Sequence, residues 1–146
     1  MRSSKALTIP ELLIATTIIL LTSLAILFTY IQCMEISEIN KTKTKALLNA
    51  RNMMETIQSA SFDLILSTYN NQTFALDGIN GIGLVELDAR DPRLLGIHVK
   101  CFWKQAKGRL VGEDTNLNGI LDKGEDANEN GTLDSPVDLF TYIYKR

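Results

Sequence analysis

The sequence predicts an α+β protein in which a long N-terminal helix, membrane-spanning in its first half, packs on a small antiparallel sheet of about four strands. Three observations predict it: residues 12–34 carry no charged side chain, apolar residues at helical spacing continue beyond them, and short alternating segments follow between turn signals. The length of 146 residues and the 45% hydrophobic content fit one domain with a core. The net charge of −2 argues against a basic nucleic-acid-binding protein, and we expect no nucleic-acid partner.

The uncharged run at residues 12–34 has the length of a membrane span. As a helix, its 23 residues extend for about 34 Å, close to the ~30 Å of a hydrocarbon core, and satisfy their own backbone hydrogen bonds in lipid. Arg2 and Lys5 precede the run, so the positive-inside rule places the N-terminus in the cytoplasm. A secretory signal peptide would have a shorter apolar core and a small-residue cleavage site, which residues 28–33 lack. We therefore predict a retained anchor in membrane lipid.

Glu11 lies at the start of the apolar run, where a carboxylate is costly and often functional. One interpretation is a capping box, with Thr8 as the N-cap and Glu11 three residues later. Pro10 would then lie in the first helical turn, where its missing N–H costs nothing. A structural role in capping and a functional role for Glu11 both remain open at this point.

Residues 5–15, with the sequence KALTIPELLIA, resemble the processing site of type IV prepilins and type II secretion pseudopilins. The resemblance implies that prepilin peptidase removes a leader, residues 1–6, by cutting between Ala6 and Leu7, and that the new N-terminus is methylated. It also implies that Glu11 is the family's assembly carboxylate. The implied partners are other pilin or pseudopilin subunits and the inner-membrane assembly machinery, and the implied destination is a cell-surface or periplasmic filament. The family usually has Gly and Phe where this chain has Ala6 and Leu7.

The helical pattern continues past the apolar run. From Glu35 to about Thr68 the chain has neither Gly nor Pro, and apolar residues recur at helical spacing. These residues are Ile36, Ile39, Ala46, Ala50, Met53, Ile57, Ala60 and Leu64. We expect one long helix, the first half of which (7–34) spans the membrane or forms a filament core. The remainder of the chain, 35–146, forms a pilin-like extracytoplasmic domain with an insert at 113–135.

Turn signals after Ser67 separate the predicted strands. The strand-like segments are Thr73–Leu76, Val85–Asp88, Leu95–Lys104 and Val137–Tyr144. Leu95–Lys104 alternates strictly, with Ile97, Val99, Cys101 and Trp103 on one face, which predicts a half-buried antiparallel strand. His98 lies on the other face without a nucleophile in the pattern, and we predict no enzyme and no catalytic residue. Cys33 and Cys101 are expected to be free thiols.

The segment 114–125 fits the EF-hand calcium-loop pattern D-x-[DN]-x-[DN]-G-x5-E. Calcium takes six to eight oxygen ligands, and Gly119 allows the sharp turn that the loop needs. Ile120 would contribute its backbone carbonyl, and the other ligands their side-chain oxygens. The predicted ligands are Asp114, Asn116, Asn118, Ile120, Asp122 and Glu125.

A second, partial copy of the loop begins twelve residues after the first. Its predicted ligands, for a weaker site, are Asp126, Asn128, Asn130, Thr132 and Asp134. Val137 stands where the first loop has Glu125, so this copy has no acid at the closing position. It could bind weakly, use Asp134 to close the site, or complete a site shared with the first loop.

The charge of the insert favours a bound cation. Residues 113–138 contain eight acids and one lysine, a net charge of −7, which without a cation describes a flexible, self-repelling loop. Ligands that are all oxygens favour calcium over zinc or copper. Because no long helix flanks the insert, it resembles the helix-less calcium loops of dockerins. We therefore predict a structural Ca²⁺ that folds the insert.

Overall fold

A computed structural model describes residues 8–145 of the chain, without the side chain of Lys107. The chain forms two compact units, Met1–Ile39 and Asn40–Arg146. In the first unit the described residues belong almost entirely to helix α1, which runs from Ile9 to Ser59 and continues into the second unit. Its 18-residue apolar window has a mean hydropathy of 2.4, and none of that window is buried. The helix is therefore long and apolar enough to span a membrane, although a signal sequence or a soluble core helix has the same composition.

The second unit contains the end of α1, a short helix α2 (Phe62–Tyr69) and a five-stranded antiparallel sheet. The strands are β1 (Gln72–Ala75), β2 (Gly81–Asp91), β3 (Leu94–Lys104), β4 (Leu110–Val111) and β5 (Asp138–Tyr144), and a 3-10 turn, Ala106–Gly108, precedes β4. This arrangement confirms the predicted α+β class. The sheet has one strand more than the four predicted, because the two-residue β4 is too short to leave a sequence pattern.

The prediction of an unbroken helix to about Thr68 is wrong. α1 ends at Ser59, and Ser61 has an extended backbone (φ −70°, ψ 141°) before α2 begins. The carbonyl of Ser61 accepts the N–H groups of Leu64 and Ile65 and so starts the new helix. The break buries Ile65 completely and leaves Leu64, which the helical pattern had placed on the core face, 59% exposed. Tertiary packing thus ends the helix where the sequence has no Gly or Pro.

Strand β3 is the centre of the sheet. It pairs with β2 along one edge and with both β4 and β5 along the other. Its residues Ile97, Val99, Cys101 and Trp103 are buried on one face, as the alternation predicts. They form the main core with a stripe of buried α1 residues spaced three or four apart. That stripe is Ala46, Ala50, Met54 and Ile57.

The opposite face of β3 is more covered than a half-buried strand should be. Phe102 is completely buried there, in a second cluster with Leu84 and Leu133. Lys100 is also buried, at 5% exposure, and its Nζ lies 2.7 Å from Glu86 Oε2. Because Leu133 belongs to the acidic insert, the insert covers this outer face of the sheet.

Both cysteines are free. Cys33 is exposed on α1, whereas Cys101 is completely buried and its Sγ lies 3.6 Å from the carbonyl oxygen of Ala46. Burial raises the pKa of the Cys101 thiol to about 12, since the thiolate would lose its hydration. Cys101 therefore acts as a small apolar core residue at neutral pH.

Candidate metal centre

The acidic insert connects β4 to β5 and has no helix or strand between Val111 and Asp138. It lies on the outer face of the sheet and contributes two apolar side chains, Leu117 and Leu133, to the cluster around Phe102. Gly119 packs so closely that a Cβ added to it would lie 2.3 Å from Cγ2 of Thr73 on β1. The sheet thus supports the loops without supplying a ligand from its own strands.

Asp114 organises the first loop from a fully buried position. Its Oδ1 accepts the N–H of Asn118 at 3.1 Å, and its Oδ2 accepts the N–H of Gly119 at 2.8 Å. Asn118 in turn accepts the N–H of Ile120 at 2.7 Å through its side-chain oxygen. Each of these oxygens retains a second lone pair that can be directed at a cation.

One carboxylate oxygen of the first loop, Oδ2 of Asp122, joins three of the predicted ligands. The side-chain amides of Asn116 and Asn118 donate to Oδ2 of Asp122 over 2.7 and 2.8 Å. The side-chain oxygens of the same two asparagines accept the N–H groups of Asn118 and Ile120 at 3.0 and 2.7 Å, and each keeps a second lone pair for a cation. The loop therefore gathers side chains of the oxygen-bearing types that calcium prefers around Asp122.

Glu125 closes the first loop from the other side and is 5% exposed. Its Oε1 accepts the N–H of Thr115 at 2.8 Å together with the Thr115 hydroxyl, and its Oε2 accepts the N–H of Asp122 at 3.1 Å. The Thr115 hydroxyl, and after it the backbone N–H groups, hold the pKa of Glu125 below its usual range, although burial opposes them. Glu125 is thus ionised at neutral pH, as a calcium ligand must be.

The second loop repeats the geometry of the first. Asp126 accepts the N–H groups of Asn130 and Gly131 at 2.9 and 2.7 Å. The side-chain amides of Asn128 and Asn130 converge on Oδ2 of Asp134 over 2.6 and 2.9 Å. Thr132 donates its N–H to the side-chain oxygen of Asn130 at 2.8 Å. All five residues predicted for the weaker site therefore belong to one hydrogen-bonded loop.

The buried carboxylates of the first loop have no cationic partner. Asp114 is 0% and Glu125 5% exposed, and in residues 8–145 neither forms an ion pair with a lysine, arginine or histidine. Backbone N–H groups satisfy their oxygens in part, but no cationic side chain of the described residues balances either buried carboxylate. A bound divalent cation would supply the missing charge.

Within residues 8–145, no three acidic, histidine or cysteine side chains form a ready-made metal cluster. In the first loop, Oδ2 of Asp122 accepts the side-chain amides of Asn116 and Asn118. The expected ligand set includes amide and backbone oxygens, which are not part of such a cluster.

Sequence reasoning missed two residues of this region, Glu113 and Thr115. Glu113 accepts the N–H of Ala127 at 3.2 Å through Oε1 and that of Asp134 at 2.9 Å through Oε2. A signal for Glu113 was available, because the seven-residue segments 113–119 (EDTNLNG) and 125–131 (EDANENG) both begin with glutamate. No comparable signal marks Thr115.

The residues predicted for processing and assembly lie far from the insert in sequence. Ala6 and Leu7 fall outside the described residues. Glu11 lies in the exposed first turn of α1, where the Leu12 N–H donates to the carbonyl oxygen of Thr8 at 3.1 Å. This position agrees with a helix N-terminus at Thr8, and it is compatible with both interpretations of Glu11.

A search against protein-family models found no match, and searches of curated proteins and of solved structures found none either. The function is therefore argued from the residues of this chain and from their geometry.

Proposed function

We propose that the protein is a pilin-like structural subunit anchored in the inner membrane by the apolar half of α1, with its N-terminus in the cytoplasm and its sheet domain outside. Prepilin peptidase would cut between Ala6 and Leu7, and the assembly machinery would build the mature chain into a type IV pilus or a type II secretion pseudopilus with other subunits. The resemblance of residues 5–15 to the prepilin processing site supports this proposal.

The observation that carries the proposal is the exposure of the apolar part of α1. A window of 18 residues with a mean hydropathy of 2.4 is 0% buried, while the later turns of the same helix are packed on a sheet. Apolar surface of this extent needs lipid or neighbouring helices to cover it. A subunit that moves from membrane to filament would use both.

Glu11 offers the most specific test. Among apolar helices an unpaired carboxylate costs several kcal/mol, whereas the α-amino group that cleavage exposes on a neighbouring subunit would neutralise it. We expect Glu11→Gln to insert into the membrane at normal levels but to be missing from sheared filaments, with immunoblots of both fractions as the measurement. Glu55→Gln, on an exposed position of the same helix, is the matched control and should be incorporated normally. Normal incorporation of Glu11→Gln would exclude the assembly role.

A second candidate function is a permanently anchored calcium-binding adhesin or scaffold that never enters a filament. The exposed apolar helix and the acidic loops support this candidate equally well, since neither requires processing. Mass spectrometry of the purified protein separates the two: a mature N-terminus at Leu7 favours the filament subunit, and a chain that still begins at Met1 favours the simple anchor.

We further propose that the first loop holds one structural Ca²⁺ and that this ion fixes the insert on the sheet. Asp114, Asn116, Asn118, Ile120, Asp122 and Glu125 would supply the oxygens. Calorimetry of the full chain in detergent micelles should detect binding with a Kd of about 10⁻⁴–10⁻³ M, the range of extracellular calcium modules. The absence of heat at several millimolar calcium, or unchanged heat for Asp114→Ala, would contradict this assignment.

A further inference from the structure

The two loops of the insert share the main hydrogen bonds of their polar framework and differ in the origin of the closing carboxylate. In both loops the first Asp binds the fifth and sixth N–H groups, and the third and fifth Asn amides converge on the ninth residue, Asp122 or Asp134. The backbone repeats as well, since Leu117 and Glu129 have φ of 60° and 58°, and Gly119 and Gly131 have φ of 74° and 78°. Two loops of one geometry would offer a cation the same surroundings.

The second loop is unable to close with its own twelfth residue. The first loop turns back through Gly124, whose φ of 96° only glycine adopts readily, and so delivers Glu125 to its interior. The equivalent position is Pro136, whose ring holds φ near −65°. The chain instead leaves the loop, and Val137 is 3% exposed in the main core before β5 begins.

Glu113 forms, in the second loop, two of the hydrogen bonds that Glu125 forms in the first. In the first loop Glu125 accepts the N–H groups of the second and ninth residues, Thr115 and Asp122, at 2.8 and 3.1 Å. In the second loop Glu113 accepts those of the second and ninth residues, Ala127 and Asp134, at 3.2 and 2.9 Å. The backbone of Glu113 is held in register with this loop, because its N–H donates to the carbonyl of Asp134 at 3.0 Å.

A separate observation points to a cation rather than to a purely structural hydrogen-bond network. The framework that the loops share buries Asp114 and Glu125 at 0% and 5% exposure without a counter-ion in the described part of the chain. Residues 113–138 contain one lysine against eight acids. Because the segment has a net charge of −7, one divalent ion would leave it at −5, so a second ion would still be attracted.

We propose that Glu113 closes a second calcium site in the loop Asp126–Asp134, so that the insert is a pair of complete sites rather than one complete and one truncated site. The inference rests on the proposed calcium binding of the first loop. Glu125 closes the first loop from that loop's own twelfth position, whereas Glu113, which precedes the first loop in sequence, closes the second.

The test is the number of ions bound by the full chain in detergent micelles, measured by equilibrium dialysis against calcium up to several millimolar. We expect two ions per chain for the wild type, one for Glu113→Gln, one for Glu125→Gln and none for the double variant. Asp126→Asn, at the opposite end of the second loop, should lose the same ion as Glu113→Gln. The matched control is Glu129→Gln, an exposed carboxylate within the second loop that belongs to neither framework, which should keep two ions.

The outcomes separate this inference from the proposal on which it rests. One ion in the wild type that Glu125→Gln removes and Glu113→Gln keeps would overturn the second site and leave the first intact. Two ions in Glu113→Gln, bound with unchanged affinity, would also overturn the role of Glu113. No bound ion in the wild type would overturn both. Emission of Trp103, the only tryptophan and a core residue, reports whether each variant is folded.

Discussion

The two loops of the acidic insert share a polar framework but contact the sheet through different residues. The first loop uses its fourth and sixth positions, Leu117 and Gly119, which pack against β1 and β2. The second loop has the exposed Glu129 at its fourth position and open space around Gly131 at its sixth. It uses its eighth position instead, where Leu133 is 2% exposed.

This difference separates the parts of the repeat that would serve the proposed ion from the parts that serve the fold. The first, third, fifth and ninth positions, which direct side-chain oxygens into a loop, hold the same residues in both copies, whereas the two copies contact the sheet through different positions. At the fourth, sixth and eighth positions, therefore, the residue of one loop packs on the sheet and the equivalent residue of the other loop does not. Substitutions at such pairs measure anchoring separately from the polar framework.

The largest effect is expected at the eighth position of the loops. Leu133→Ala removes a buried side chain from the cluster with Leu84 and Phe102 and should lower the free energy of unfolding by about 3 kcal/mol. Its counterpart Leu121 is 37% exposed, so Leu121→Ala should cost about 1 kcal/mol or less. Urea unfolding of the full chain in micelles, followed by Trp103 emission, measures both. Equal losses in the free energy of unfolding would mean that the eighth position anchors the first loop as much as the second.

At the sixth position, in contrast, substitution in the first loop should destabilise the protein more than substitution in the second. Both glycines have a positive φ, so an alanine at either costs about 1 kcal/mol of backbone strain. At Gly119 the new Cβ would also lie 2.3 Å from Thr73, whereas nothing lies within 4 Å at Gly131. Gly119→Ala should therefore destabilise the protein by about 2 kcal/mol more than Gly131→Ala in the same unfolding measurement. A difference near zero would show that the first loop can shift away from β1 without loss.

Much of the fold follows from patterns that depend on local sequence. Strict alternation identifies β3 almost to the residue, since a strand with one apolar face has a period of two. The break between Ser59 and Phe62 does not follow, because no helix breaker marks it and the burial of Ile65 depends on the assembled sheet. The coverage of Phe102 is equally non-local, since it depends on where the insert lies.

The candidate site also has a part that follows from local sequence and a part that depends on the assembled fold. The candidate ligands within each twelve-residue window follow from the spacing of oxygens and glycine, and the structure places them in two hydrogen-bonded loops. Glu113 lies outside the window of the loop that it closes, so the motif alone does not include it. Thr115 is missed because a calcium-loop pattern leaves its second position unrestricted.

Calcium removal should affect the two loops unequally. At a calcium concentration of ten times Kd, each ion stabilises its loop by about 1.4 kcal/mol, equivalent to about a tenfold change in the opening equilibrium. Asp126 is only half-buried, whereas Asp114 is fully buried on the sheet. We therefore expect chelation to accelerate hydrogen exchange at Asn130 and Gly131 more than at Asn118 and Gly119, as measured by mass spectrometry of peptides from the insert. Equal acceleration would mean that the sheet does not pre-form the first loop.

The smallest effect is expected at the second position, where the first loop has Thr115 and the second has Ala127. The Thr115 hydroxyl donates to Glu125, and Ala127 has only its N–H to offer Glu113, at the longer distance of 3.2 Å. Thr115→Ala should weaken calcium binding to the first loop by about fivefold, or about 1 kcal/mol, because Thr115 is exposed and water can replace part of the hydrogen bond. Ala127→Thr should strengthen the second site by a similar factor if Glu113 closes it. Calcium titrations in the Glu113→Gln background follow the first loop alone, and titrations in the Glu125→Gln background follow the second. If Ala127→Thr still strengthened calcium binding in the Glu113→Gln background, the added hydroxyl would be acting on some other group.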